Sequence, residues 1–542
     1  MPQGLKLRSD YRPDRPTNEP RTKRGGGAQF ALFNSCTLKN IPRSRCLKQK
    51  PVLCCRPAWE KALQTPSRKR VAGPRLCGAK GLPGVLGWEF VNPSESPWTP
   101  QSWTTKTALQ QPSYEDEIGL RAVLAQLADL PPLITSWEVL QLREQLAEAQ
   151  VGRRFVLQGG DCAESFSDCN ASAIAAKLKV LLQMSLVLVQ GSKRPITRMA
   201  RIAGQYAKPR SDDWEVRDGV RLPSYRGDII NRAGFTEQDR RPDAELLLRA
   251  YERSALTLNF LRSLVKSGFA DLHHSESWDL TFAKHSPLED EYRTMAENVR
   301  ESVRFMENVL GIHAAEIERI DLFTCHEGLH LHYEQALTRH VPRREGWFNL
   351  STHFPWIGLR TSDPGGAHVE YFRGIENPVG VKVGPSLTQE ALNSLCHSLN
   401  PYAVPGKLAL IHRMGVKQIE EHLPRLIRML RDVGHSVVWI CDPMHGNTYV
   451  TSNGYKSRSL GDIRHELDLA CDIHEGEGSW LGGVHIELTG DDVTECTGGS
   501  GGLTEAGLDR AYRTEVDPRL NRDQALEIAM LLARKLSRSR NG

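Results

Sequence analysis

The stretch "GGVHIELTGDDVTECTGG", residues 482–499, places His485 and Glu487 two positions apart in a short apolar run that then breaks into glycine and acidic residues. Residues two apart in a β-strand point to the same face, so the imidazole and the carboxylate lie side by side. A purely structural core strand has no reason to bury such a pair. The pattern therefore predicts a strand that carries functional side chains at its end.

The same design recurs along the chain. Eight short apolar runs end in polar or glycine residues: "RRFVLQGGD" (153–161), "ITRMARIAGQ" (196–205), "IDLFTCHE" (320–327), "WFNLSTH" (347–353), "VGVKVGP" (379–385), "LALIHRMG" (408–415), "SVVWICDPMHG" (436–446) and "GVHIELTG" (483–490). Several are separated by amphipathic segments, most clearly at 417–434, where Gly434 is a helix stop signal. Eight buried strands alternating with helices predict an α/β fold, the (β/α)8 TIM barrel, with its chemistry at the C-terminal strand ends. A doubly wound sheet is the alternative, but no GxGxxG motif follows a first strand.

Sequence segments that a minimal barrel lacks determine the rest of the domain organisation. Helical periodicity precedes the first strand at 114–150, and long helical patterns fill 243–313. We therefore expect an N-terminal helical extension over 97–150 and a catalytic barrel over 151–542, with an inserted helical segment at about 243–313.

Residues 1–96 differ from the rest in composition. They carry 19 Lys and Arg against 6 Asp and Glu, whereas the remaining chain carries 51 against 59 and a net charge of −8. The segment is rich in Pro and Gly without sustained periodicity, which predicts a disordered basic leader. An organelle transit peptide, a nucleic-acid-binding tail and a leader without function are the alternatives.

Composition also bears on partners and compartment. No apolar run approaches the roughly 18 residues of a membrane span, and no nucleic-acid-binding motif is present, so we expect neither a membrane nor a nucleic-acid partner. The cysteines beyond residue 96 are scattered rather than closely paired, which favours a reducing compartment. We expect a cytoplasmic protein, with a plastid or another organelle as the alternative if 1–96 acts as a transit peptide.

One set of polar residues near the strand ends suits a metal. Their N, O and S donors match a divalent ion of intermediate softness such as Mn, Fe, Co or Zn, and they are Cys162, His445, Glu487 and Asp517. No pair has CxxC or HExxH spacing, so a buried inert Cys162 and an Asp517 that only caps a turn before Pro518 stay open. Cys441 with His445 is a competing pair, although Cys441 lies inside its apolar strand and is expected to pack.

A second set is cationic: Arg201, Lys208, Arg210, Arg226, Arg360, Lys382 and Arg413. Lys382 and Arg413 lie within or at the end of apolar strands, where an unpaired charge is costly. Such positions imply bound anions, and two phosphorylated substrates would need about this many cations. Ser211 adds a hydroxyl donor next to Lys208 and Arg210.

These motifs carry a resemblance to a known family. The segments "FVLQGGDCAESF", "RIAGQYAKPRS", "LPSYRGD", "NPVGVKVGP", "CDPMHGNT", "GGVHIELTGDDVTEC" and "DPRLN" resemble the type II 3-deoxy-D-arabino-heptulosonate 7-phosphate (DAHP) synthases, which open the shikimate pathway. The similarity runs from about Trp98 to the C-terminus and leaves residues 1–96 uncovered. It implies a TIM barrel that condenses phosphoenolpyruvate with erythrose 4-phosphate, with Mn²⁺ or Co²⁺ as cofactor.

The resemblance also implies roles for individual residues. The metal ligands would be Cys162, His445, Glu487 and Asp517, and with Lys382 the first three would be catalytic. Phosphoenolpyruvate would be held by Arg201, Arg360, Lys382 and Arg413, and erythrose 4-phosphate by Lys208, Arg210 and Ser211. His485 would orient a ligand or a water molecule. The general base is not identified, but Glu327 in "TCHEGLH" is a strand-end candidate.

Family members commonly respond to aromatic amino acids through the pre-barrel helices and the insertion, and we expect the same here. We also expect a homo-oligomer. Two other function classes stay open: another metal-dependent phosphosugar lyase or aldolase, and a regulatory protein built on an inactive barrel. The intact ligand set argues against the second.

One loop departs from the family pattern. Where the family has an acidic residue before the arginine and then Arg-Gln-x-Asp-Gly-Ala-His, this chain reads "GLRTSDPGGAH" over 358–368, so Leu359 replaces the acid. Arg360 is retained, which predicts an active enzyme with weakened phosphoenolpyruvate binding. A divergent paralogue with an altered substrate is the alternative.

Overall fold

The computed structural model describes residues 97–266 and 321–538, together with positions 290, 293, 294, 297, 298 and 301. The leader predicted for residues 1–96 lies outside the described residues, and so does most of the predicted insertion beyond Lys266. Those two parts of the domain assignment therefore stay predictions.

A closed barrel of eight parallel strands forms the centre of the fold. The strands are β1 (Phe155–Gly160), β2 (Ile196–Arg201), β3 (Leu322–Glu327), β4 (Phe354–Ile357), β5 (Val379–Val383), β6 (Leu408–His412), β7 (Val438–Cys441) and β8 (Leu481–Glu487). Each strand pairs with the next along the chain, and β8 closes the barrel against β1. The strands are almost entirely buried, because helices cover a parallel sheet from outside, and each therefore reads as a short apolar run. The prediction of a (β/α)8 barrel is confirmed.

Seven of the eight predicted runs are barrel strands, but "WFNLSTH" is not. Residues Trp347–Asn349 pair with Thr338–His340 in an antiparallel hairpin. The fourth barrel strand is the next segment, β4, whose Pro355 lies opposite His326 of β3. Proline lacks a backbone N–H and argues against a strand inside a sheet, whereas the aromatic run before it has strand propensity. The interpretation of 347–353 as a barrel strand is therefore wrong.

The helices of the described residues surround and precede the barrel. They are α1 (Glu117–Asp129), α2 (Ser136–Gln150), α3 (Ala171–Ser192), α4 (Glu237–Arg240), α5 (Glu245–Lys266), α6 (Leu331–Ala336), α7 (Ala367–Phe372), α8 (Gln389–Leu399), α9 (Ile419–Val433), α10 (Leu460–Gly476) and α11 (Arg522–Arg538). Helix α9 ends at Gly434, which adopts a left-handed conformation with φ of 73°, as the sequence predicts.

Helix α3 is long and apolar enough to cross a membrane by length and composition, against the expectation that no run approaches that size. It packs against α11 and also contacts α5, β1 and β2. More than half of its most apolar window is buried in the fold. Packing on several elements therefore accounts for its apolar composition.

The barrel interior is apolar at its N-terminal end. Helix α2 lies across this end, and its Leu142 and Leu146 pack with inward-facing residues such as Val156 of β1 and Ile440 of β7. A capping box between Thr135 and Glu138 fixes the start of α2. The extension thus closes the end of the barrel opposite the predicted chemistry.

Helices α1 and α5 form a second apolar cluster beside the barrel. Leu120 and Leu127 of α1 pack in one cluster with Leu247 and Leu258 of α5. Helix α1 also contacts α6, which follows β3. The helical patterns at 114–150 and at the start of the insertion therefore correspond to real helices that pack together.

Candidate active site at the C-terminal strand ends

The polar side chains of the site continue the inward-facing positions of the barrel. Every second residue of a barrel strand points inward, and at the C-terminal end these inward positions are polar. They are Arg201, Glu327, Lys382, Arg413, Asp442, His485 and Glu487. Gly160 of β1 pairs with both Arg201 and Glu487. It has φ of 143°, and a Cβ there would meet the Arg201 carbonyl at 2.5 Å. Glycine is required at this position because the neighbouring backbone comes so close.

His485 and Glu487 do share one face, and both contact Arg201. The Arg201 guanidinium lies 2.6 Å from His485 Nε2 and 3.1 Å from Glu487 Oε1. Because arginine only donates, His485 Nε2 is the acceptor and its ring is neutral. Burial holds the pKa of His485 well below its usual value, in agreement with that neutral form. His485 therefore orients a predicted substrate-binding cation rather than a predicted metal ligand.

Glu487 is fully buried and lies among four nitrogen groups. Its Oε1 is 3.1 Å from Lys208 Nζ and 3.2 Å from His445 Nε2. Its Oε2 accepts a 2.7 Å hydrogen bond from Arg458. Burial alone would raise the pKa of Glu487, but these neighbours hold it well below the usual value. Glu487 is therefore a carboxylate, the form that binds a cation.

The four predicted metal ligands lie together. Donor atoms of Cys162, Glu487 and Asp517 all fall within 4.8 Å of one another, and His445 reaches the group through Glu487. A thiolate, an imidazole and two carboxylates match a divalent transition metal. Burial raises the pKa of the Cys162 thiol to about 12, so without a cation the sulfur keeps its proton and donates to Asp517 at 3.8 Å. The residues present fit a metal whose binding would release that proton.

The ammonium group of Lys208 lies between these donors. Besides its contact with Glu487, Nζ is 3.0 Å from Asp517 Oδ2 and 3.4 Å from His445 Nε2. Burial alone would lower the pKa of Lys208, but the surrounding acidic groups raise it above its usual value. Lys208 therefore balances the charge of the ligand set in the described structure.

Asp442 connects a predicted metal ligand to a cation that is predicted to bind substrate. It accepts from His445 Nδ1 at 2.7 Å and forms an ion pair with Lys382. The first contact fixes the His445 tautomer and leaves Nε2 free to face Glu487. Burial lowers the pKa of Lys382 to about 8, although the charge of Asp442 opposes that shift. Asp442 thus orients the ring of His445 and favours the charged form of Lys382.

A cavity of about 240 Å³ opens above these groups. Its wall is cationic, with Lys208, Arg210, Arg360, Lys382, Arg413 and Lys456 against only two acids, Glu327 and Asp517. His445 and Ser211, which were also predicted for the site, line the cavity as well. Cys162, Arg201 and Glu487 do not line it, but Lys208 contacts Glu487 from the cavity wall. The structure therefore brings all the predicted site residues into one place, apart from Arg226.

Arg226 lies outside this cavity. Its guanidinium forms an ion pair with Asp213 and donates to Gln110 Oε1 at 3.0 Å. Arg226 does not line the cavity itself, but its contacts hold the loop that carries Lys208 and Arg210. Cys441, the competing ligand candidate, is fully buried in the core outside the barrel interior, as expected for a packing residue.

Glu327 faces the cavity at the end of β3. Burial raises the pKa of its carboxyl, against the opposing charges of Lys208 and Lys382. Its Oε1 is buried and has no hydrogen-bond partner among the described residues. A raised pKa makes this carboxylate a stronger proton acceptor than an exposed one, and its unpartnered oxygen is free to take the proton.

The departing loop also borders the cavity. Leu359 and Arg360 lie in a short 3₁₀ turn after β4, and Leu359 remains 40% exposed on the cavity surface. Arg360 Nη2 donates to Ser211 Oγ at 2.6 Å. Arg360 therefore meets the loop after β2, which places the two predicted sets of substrate cations next to each other.

Two residues of the site were missed by sequence reasoning. Arg458 is fully buried and contacts Glu487, but it is the last residue of a polar hairpin strand, Lys456–Arg458, in which no pattern indicates burial. Asp442 could have been found, since it continues the inward alternation of β7 and comes three residues before His445.

Comparison with known proteins identifies the family of the chain. A profile of the class-II DAHP synthetase family matches residues 98–533. Phospho-2-dehydro-3-deoxyheptonate aldolase of Neurospora crassa is 44% identical over 457 residues, which cover 81% of this chain and 95% of that protein. The enzyme of the same name from Streptomyces coelicolor is 44% identical over 443 residues, 82% of this chain and 98% of that protein. A solved phospho-2-dehydro-3-deoxyheptonate aldolase from Francisella tularensis SCHU S4 aligns with 77% of this chain and 97% of that chain at a TM-score of 0.42 and 14% identity, a similarity too weak to support a conclusion.

Proposed function

Since the chain belongs to the class-II DAHP synthetase family, we propose that it condenses phosphoenolpyruvate with erythrose 4-phosphate and water to give DAHP and inorganic phosphate. This reaction opens the shikimate pathway to chorismate and the aromatic amino acids. The observation that carries the proposal is a cation-lined cavity directly beside a buried set of Cys, His, Glu and Asp donors.

The charge of the cavity fits two phosphorylated reactants. Phosphoenolpyruvate carries a carboxylate and a phosphate, and we assign it to Arg201, Arg360, Lys382 and Arg413. The phosphate of erythrose 4-phosphate is assigned to Lys208, Arg210 and Ser211. The contact between Arg360 and Ser211 supports adjacent binding of the two reactants. Holding both at attack distance removes much of the entropic cost of their encounter.

Enzymes of this family are generally metal-dependent, and we propose Mn²⁺ as the ion used here. Cys162, His445, Glu487 and Asp517 would hold it, with Asp442 and Arg458 orienting two of the ligands. A divalent cation at this position supplies Lewis-acid polarisation of the aldehyde oxygen.

The bond changes follow from the substrates. C3 of phosphoenolpyruvate forms a bond to the aldehyde carbon, and the aldehyde oxygen takes up a proton to become a hydroxyl. Water adds at C2 and gives up its two protons, one to that oxygen and one to the phosphate, as the bond from C2 to the phosphate oxygen breaks and C2 becomes a carbonyl. Lys382 and Arg413 stabilise the charge on phosphoenolpyruvate as phosphate leaves. Glu327 takes the proton that the attacking water loses, because its raised pKa and unpartnered oxygen suit a general base.

A divergent aldolase with a different phosphosugar is the second candidate, because Leu359 presents an apolar surface at the cavity. A comparison of kcat/KM among aldose phosphates distinguishes the two candidate functions. With phosphoenolpyruvate saturating, the first predicts the highest kcat/KM for erythrose 4-phosphate among three- to six-carbon aldose phosphates. A higher value for another aldose phosphate would establish the second.

A pair of variants tests the assignment of the cations. Lys382→Gln should raise KM for phosphoenolpyruvate more than KM for erythrose 4-phosphate, and Arg210→Gln should do the reverse. Equal effects of both variants on both substrates would contradict the assignment.

Three predictions concern properties outside the site. They are a homo-oligomeric assembly, regulation by aromatic amino acids through the extension and the insertion, and a cytoplasmic location. They stay predictions.

A further inference from the structure

A short segment before the barrel, residues 107–111 ("TALQQ"), contacts three of the loops that follow barrel strands. The Thr107 carbonyl accepts from Ala367 N at 3.0 Å, after β4. Gln111 donates to the Leu329 carbonyl at 2.6 Å and accepts from Leu331 N at 3.0 Å, after β3. Gln110 contacts the third loop, which follows β2. The segment therefore joins the loops that carry Arg360 and Lys208 and the loop that follows Glu327.

Gln110 makes its contacts through one oxygen. Its Oε1 accepts from the backbone N of Arg210 at 2.9 Å and from Arg226 Nη1 at 3.0 Å. The Arg210 guanidinium is held separately, by the Tyr225 carbonyl at 3.0 Å and by Glu215 at 3.1 Å. Gln110 thus fixes the backbone of the loop at Arg210, between Lys208 and Ser211, which line the cavity.

The backbone of Gln110 is in a conformation that glutamine rarely adopts. Its φ is 61°, in the left-handed region. A non-glycine residue held there costs free energy, and such residues persist where surrounding contacts over-determine them. Glycine would adopt this backbone without strain, but it would lack the carbonyl that holds Arg210 and Arg226. The side chain is therefore the reason for glutamine at this position.

The charge of Gln110 also matters. A carboxylate at the same place would satisfy the same donors, but it would neutralise part of the positive field that attracts a phosphate. A neutral amide adds no further negative charge beside Arg210 and Arg226, which already pair with Glu215 and Asp213. This combination suits the edge of an anion site.

We propose that Gln110 is a positioning residue for the phosphate of the aldose substrate, acting through the loop that carries Lys208, Arg210 and Ser211. The proposal rests on the proposed function. It assigns part of the active site to the pre-barrel extension, whose side chains do not line the cavity.

The variant Gln110→Gly tests this role, because it removes the acceptor and relieves the backbone strain. We expect KM for erythrose 4-phosphate to rise about tenfold, because the loop loses both hydrogen bonds that Gln110 Oε1 accepts and then holds its phosphate-binding groups less well. KM for phosphoenolpyruvate should stay within about twofold, and the thermal midpoint should not fall. Inorganic phosphate should also become a weaker competitive inhibitor against erythrose 4-phosphate by a similar factor.

Gln111→Ala is the matched control, since it removes a neighbouring contact that goes to the loop after β3. It should lower the thermal midpoint while leaving KM for erythrose 4-phosphate within about twofold. The proposal is overturned if Gln110→Gly leaves that KM unchanged, raises both KM values equally, or behaves like Gln111→Ala. An inactive parent enzyme would instead contradict the proposed function, so the two failures are distinguishable.

Discussion

The charge of Lys382 gives a pH dependence that can be worked out from the structure. Burial lowers the pKa of this ammonium to about 8, with Asp442 opposing the shift. In the proposed assignment only the protonated form attracts phosphoenolpyruvate, so binding should be favoured below that pKa and lost as pH rises through it. We expect kcat/KM for phosphoenolpyruvate to be level near pH 7 and to fall to about a tenth of the plateau by pH 9.

Two variants identify the group responsible. Asp442→Asn removes the charge that raises the pKa of Lys382, so the basic limb should move to lower pH. Lys382→Arg keeps a cation throughout this range, so the limb should disappear even if the plateau is lower. The assay is initial rate against phosphoenolpyruvate concentration at saturating erythrose 4-phosphate and Mn²⁺. A profile that stays level to about pH 9.5, or a limb that Asp442→Asn moves to higher pH, refutes the reasoning.

Four further predictions follow from the site and the sequence. Cys162→Ser should keep the fold but lose most activity and bound Mn²⁺, because a hydroxyl replaces a thiolate; parent-like Mn²⁺ affinity in equilibrium dialysis would contradict the ligand assignment. Arg458→Met should destabilise the metal-free protein by about 1–3 kcal/mol, because Glu487 Oε2 loses its buried donor while Arg201 and Lys208 still pair with Oε1, and by less with Mn²⁺ bound; equal losses in thermal unfolding under both conditions would be inconsistent with that reason. Leu359→Glu should lower KM for phosphoenolpyruvate by up to about tenfold with little change in kcat, since a carboxylate beside Arg360 would hold the guanidinium in place; an unchanged KM removes this account of the loop. Deleting residues 1–96, whose sequence lacks core-forming periodicity, should leave turnover nearly unchanged, and a large loss would show that the segment supports the enzyme.

Most of the barrel was predictable, because each strand is buried on both faces and is followed by a polar end. The failure at β4 has a local cause. Its four residues include Pro355, whereas the preceding Trp347–Asn349 has the stronger strand propensity but pairs in a hairpin. The segment that becomes a barrel strand is the one that pairs with β3 in the folded protein, and the local sequence does not encode this pairing.

The site residues also fall into those that the sequence predicts and those that it does not. Lys382 and Glu487 were found because strand direction and alternation bring inward-facing residues to one barrel end, whatever their separation in sequence. Arg458 lies in a hairpin and Gln110 lies before the barrel. Their roles depend on contacts with residues 29 and 100 positions away, which neither periodicity nor motif spacing encodes.

The most direct test of the central claim is release of inorganic phosphate by the purified protein. We predict that phosphate appears only when phosphoenolpyruvate and erythrose 4-phosphate are both present, in equal amount to DAHP formed. A chelator should abolish the release, and added Mn²⁺ should restore it. Phosphate release from phosphoenolpyruvate alone, or no release with both substrates and Mn²⁺ or Co²⁺, would contradict the assignment of this chain as an active DAHP synthase.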